Sequence, residues 1–75
     1  MMDERKTDII RDLAFDDFRK NIQRLEKADD VSIYSQLLSA LAIGVLRNIE
    51  GDQFVNDFLR ASIKNPLKIE IHKVQ

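Results

Sequence analysis

At Pro66 the spacing of the apolar side chains changes. Before it they recur three or four residues apart, the repeat that keeps side chains on one face of an α-helix. After it Leu67, Ile69 and Ile71 alternate with Lys68, Glu70 and His72, the repeat of a half-buried strand. This switch restricts the chain to helices followed by one short strand. The expected fold is mainly α: a single domain over residues 1–75 with helices at about 7–28, 31–50 and 52–64 and a strand at about 67–74.

The first helix carries Ile10, Leu13, Ala14, Phe18, Ile22 and Leu25 on one face, with Asp8, Asp12, Asp16, Arg19, Lys20, Gln23 and Lys27 mostly opposite. The stretch KADDVS breaks the pattern, and Asp29, Asp30 or Ser32 is expected to cap the second helix. Gly51 ends that helix, because glycine tolerates the backbone a C-terminal cap requires, and Asp52 opens the third. Asn65 and Pro66 end the third, since the residue before proline is pushed out of the helical region and proline has no N–H to donate.

The second helix differs in kind from its neighbours. Its apolar residues Ile33, Tyr34, Leu37, Leu38, Leu41, Ala42, Val45, Leu46 and Ile49 cover roughly 220° of the helical wheel, about twice what an edge helix needs. A membrane span requires about 20 mainly apolar residues, whereas the densest run, residues 37–46, is half as long and contains Ser39. No membrane association is therefore expected, and the helix is read as central, contacted from two sides. Ala40 and Gly44, one turn apart on the edge of the arc, are expected to serve close packing within the chain. The core is expected at Phe18, Ile22, Leu38, Leu41, Val45, Phe58 and Leu59.

A chain of 75 residues buries only about 60% of the surface its unfolded form exposes, so its stability is marginal without help. Disulfides, a structural metal or a partner chain usually supply that help. The sequence has no cysteine and one histidine, which leaves oligomerisation. The strand leads the same way, because no second run in the chain has its alternation and a lone strand leaves its backbone groups unpaired. It is expected to pair between chains, with its own copy or with another protein; a tail covering the helices is the remaining alternative. Candidate self-association residues are Leu37, Leu41, Val45, Leu67, Ile69 and Ile71.

Chemistry is harder to find. His72 is the sole histidine, and Gly44 and Gly51 are the only glycines. A nucleophilic triad or zinc site would depend on that one histidine, and a glycine-rich phosphate loop is impossible. The expected function is a small non-enzymatic protein-interaction module, regulator or subunit acting as a homo-oligomer, with no cofactor and no metal. The alternative is a helix-turn-helix DNA-binding regulator presenting Gln53, Asn56, Arg60 and Lys64. Against it stand a net charge of -1 and two carboxylates, Asp52 and Asp57, where phosphates would lie. The start MMDERKTDII has no apolar secretion core, so a cytoplasmic location is expected.

Overall fold

The computed structural model describes residues 4–69, which form three helices: α1 (Glu4–Gln23), α2 (Ala28–Glu50) and α3 (Asp52–Lys64). The mainly α architecture is as expected, and α3 has the boundaries expected from its punctuation. Gly51 is the reason. Its φ of 91° and ψ of 169° lie in a region open essentially to glycine alone. From there its N–H donates to the Arg47 carbonyl at 3.0 Å, and its carbonyl accepts from the Val55 N–H at 3.3 Å. One residue thus ends α2 and begins α3. The Arg47 guanidinium pairs with the Asp52 carboxylate across this corner at 2.9 Å. At the far end of α3 the Asn65 N–H donates to the Ala61 carbonyl at 2.9 Å, and the helix stops before Pro66.

The α1–α2 junction departs from expectation at both ends. Helix α1 ends at Gln23, five residues before the expected boundary, because its last turn tightens. The Arg24 and Leu25 N–H groups donate to the carbonyls of Asn21 and Ile22, three residues back, at 3.2 and 3.0 Å. Lys27 is extended (φ -108°, ψ 148°), and its carbonyl accepts from the Val31 N–H at 3.2 Å, so α2 starts three residues early. None of Asp29, Asp30 or Ser32 caps it. The two aspartates lie in the first turn, where the positive end of the helix dipole favours them, and Ser32 instead accepts a hydrogen bond from Gln36 at 3.1 Å.

The expected core is corrected more deeply. Among the described residues only Ile22, Val31 and Val55 are buried hydrophobics, and of the expected set only Ile22 is among them. Phe18 is half-buried; Leu38, Leu41, Val45, Phe58 and Leu59 are exposed. The physical reason lies in where the buried residues sit. Ile22 is next to the last residue of α1, while Val31 and Val55 are each the fourth residue of their helix. Full burial is confined to residues near the corners, and most apolar side chains along the helix bodies are exposed.

The expected C-terminal strand is not found among the described residues: 65–69 form no strand. Residues 70–74 of that expectation, with Ile71 and His72, lie outside the described part. Leu67 and Ile69 line a groove of about 300 Å³ with Arg11, Ala14, Phe15 and Phe18 of α1 and Leu38 of α2. Leu67 and Ile69 thus share a largely apolar groove with side chains of α1 and α2.

Candidate association surface

Each of the two corners turns part of α2 toward a neighbour. Near its start, Tyr34 stacks on Phe18 of α1 with ring centroids 6.1 Å apart and an interplanar angle of 27°. Its hydroxyl accepts a hydrogen bond from the Asn21 amide at 3.0 Å. Val31, Tyr34 and Leu38 therefore belong to the side of α2 that meets α1. Toward its end α2 packs on α3, with Ile43 and Leu46 half-buried and Val55 opposite the corner 1% exposed. On a wheel of 100° per residue these two sides leave an arc with Ile33, Leu37, Ala40, Leu41 and Gly44 that packs on neither helix among the described residues; Val45 and Ile49 share the sector of Tyr34 and Val31 but lie farther along α2.

That arc is apolar. Ile33, Leu37, Leu41, Val45 and Ile49 follow one another at intervals of four, a single ridge along the helix, and are 57% to 72% exposed. Beside the ridge run Gln36, Ala40, Gly44 and Asn48, with the two smallest side chains at the middle. A Cβ built on Gly44 would meet no atom within 4 Å, so the close packing within the chain expected for Ala40 and Gly44 is not found at Gly44. Leu37, Leu41 and Val45 do share one surface. Ile33 and Ile49 extend it, and the interval of four was there to be read once the wheel was seen not to be covered on all sides.

The remaining candidates lie elsewhere. Leu67 and Ile69 line the α1–α2 groove with Leu38 of α2. Gln53, Asn56, Arg60 and Lys64 are exposed along α3, but the Gln53 amide donates to the Asp57 carboxylate at 3.1 Å rather than standing free. Phe54 and Phe58 stack on the other side of α3 with centroids 6.3 Å apart. Among the described residues no group of three or more histidine, cysteine, aspartate or glutamate side chains is placed to hold a metal ion. On α1 the Lys20 ammonium lies 3.0 Å from Asp16, whose hydrogen bond and negative charge raise the lysine above its ordinary value of 10.5. Both groups are exposed.

Helix α2 is also long and apolar enough, by length and composition, to cross a membrane. Its uncharged run, residues 31–46, spans about 24 Å at 1.5 Å per residue, against a hydrocarbon core of about 30 Å. Ser32, Ser35, Gln36 and Ser39 all fall within its first nine positions. Comparison of the chain with protein-family models, with curated proteins and with solved structures finds no match.

Proposed function

We propose that this chain is a small non-enzymatic subunit or interaction module whose working form is a homo-oligomer. One observation carries the reading: among the described residues fifteen large hydrophobic side chains are exposed and only three are buried, the reverse of a compact single-chain domain. Much of the exposed area is apolar, spread over all three helices, so leaving it in water has a large free-energy cost. A second copy, present wherever the first is made, is the simplest partner to cover it.

The polar interruptions and short uncharged run of α2 favour protein over lipid as that cover. The DNA-binding alternative gains no specific support. A helix-turn-helix joins its helices by three or four residues, whereas here Gly51 alone joins a helix of 23 residues to one of 13. A cytoplasmic location fits an oligomer in water.

Sedimentation equilibrium at micromolar concentration tests the reading. The expected result is a mass of two or more chains, with a thermal midpoint that rises with protein concentration. A single-chain mass with a concentration-independent, cooperative melt overturns it.

A further inference from the structure

We propose that residues 70–75 bind α1 of their own chain, passing from the groove of Leu67 and Ile69 over Phe15 into a second recess bounded by Ile9, Asp12, Leu13, Asp16 and Arg19. The proposal goes beyond the homo-oligomer reading, since it concerns α1 and a segment of the same chain.

Two recesses adjoin on α1. The first, of about 300 Å³, takes Phe15 together with Arg11, Ala14 and Phe18 from one side of the helix. The second, of about 540 Å³, takes Phe15 together with Ile9, Asp12, Leu13, Asp16 and Arg19 from the other side. Phe15 is the ridge between them. The described chain ends at Ile69, which already lines the first recess. Glu70 to Gln75 follow, and six extended residues reach about 20 Å at about 3.3 Å each. The second recess extends from Ile9 to Arg19, about 15 Å along the helix. The segment is long enough to cross it.

Residue order matches the order of the recesses. Leu67, Ile69, Ile71 and Lys73 occupy alternate positions, so an extended segment turns all four to one side. With the first two at the first recess, Ile71 comes to Phe15 and Leu13, and Lys73 follows to the carboxylates of Asp12 and Asp16. Ile9 and Leu13, 64% and 59% exposed, supply apolar area for Ile71 to cover.

Charge agrees in sign and sequence. Arg11 lines the first recess, and the first charge after Ile69 is Glu70; in the second, Asp12 and Asp16 outnumber Arg19, and the next formal charge along the chain is Lys73. Both carboxylates meet a cation within α1, Arg11 at 3.8 Å and Lys20 at 3.0 Å. A carboxylate has lone pairs for more than one donor, so each accepts Lys73 as well.

The occupant is the chain's own segment because it is tethered at the groove. A short tether holds a segment at an effective concentration of about millimolar, far above that of a second copy present at micromolar concentration. With α1 occupied in this way, the α2 ridge and the α3 face are the apolar surfaces left for partners.

Two measurements test the proposal. In the wild-type chain, nuclear Overhauser contacts are expected between the Ile71 methyl groups and the Phe15 ring. In a chain without other cysteines, Leu13→Cys with Ile71→Cys is expected to form a disulfide within one chain on mild oxidation, seen as a single-chain mass on a non-reducing gel. Ile49→Cys with Ile71→Cys, at the far end of α2, is expected to form none. Absence of the Ile71–Phe15 contacts in the wild-type chain overturns the proposal. So does a Leu13→Cys, Ile71→Cys disulfide that joins two chains, which assigns the recess to the segment of a second copy. Neither measurement depends on the mass of the wild-type chain in solution, so the homo-oligomer reading stands or falls separately.

Discussion

The two turns of this molecule make opposite use of local chemistry. At the α2–α3 corner a single glycine with φ 91° supplies the reversal, caps both helices through its own N–H and carbonyl, and sits beside Val55, which is 1% exposed, the most deeply buried hydrophobic among the described residues. At the α1–α2 junction four residues make the reversal with ordinary backbone angles, and no side chain caps α2. One corner is dictated by a residue type; the other is held by what packs beside it, with Tyr34 stacked on Phe18 and bonded to Asn21. The first was therefore readable from the chain and the second was not.

Val55→Asp strikes the first corner hardest. A carboxylate placed where 1% of the side chain is exposed has no described partner there, and a destabilisation of at least about 3 kcal/mol is expected. Chemical denaturation read by circular dichroism measures it; a loss below about 1 kcal/mol shows that the corner opens to water without cost to the fold.

Gly51→Ala asks whether the corner depends on glycine itself. The φ of 91° with ψ of 169° is closed to a residue bearing a Cβ, so about 1 to 3 kcal/mol should be lost. Beyond the residue and its two chain neighbours nothing lies within 4 Å of the added methyl, so the loss reports the local backbone conformation rather than a clash with a distant group. A neutral result would mean that the turn relaxes to another conformation.

At the other junction the expected sign reverses. Lys27 occupies the cap position of α2 in extended geometry with no side-chain hydrogen bond. Lys27→Asp offers an acceptor to the free N–H groups and should stabilise the chain by about 0.5 to 1 kcal/mol. If stability falls instead, the lysine has a role at this turn that a capping carboxylate cannot replace.

The smallest expected effect is on α1, remote from both corners. Lys20 is raised by its hydrogen bond and charge interaction with Asp16, so it holds its proton more tightly folded than unfolded. Its contribution is therefore complete below the unfolded value, near 10.5, and is lost as pH rises through the higher folded value. Because the pair is fully exposed, Lys20→Ala should move the thermal midpoint by at most about 2 °C at neutral pH, and added salt should erase the difference.

Helix count, helix type and the limits of α3 were legible because they follow from forces acting within a few residues: the apolar repeat, the special backbone of Gly51 and the restriction that Pro66 imposes on Asn65. The end of α1 was not, since nothing in residues 24–27 forbids a helix. The breadth of the apolar arc on α2 was also legible, and so was the membership of Leu37, Leu41 and Val45 in it. What covers it was not legible, because an apolar face records that something must cover it without recording what does. Leu41 and Val45 were expected in the core, yet their helix turns that side outward.

The sequence by itself therefore determined the number of helices, the limits of α3, the glycine corner and the breadth of the apolar arc on α2, all consequences of local stereochemistry and composition. Only the tertiary structure decided which apolar surface is left over. How far neighbouring helices diverge from their corners depends on contacts between residues far apart in the chain, and this places Phe18 against Tyr34 while leaving the ridge from Ile33 to Ile49 in water.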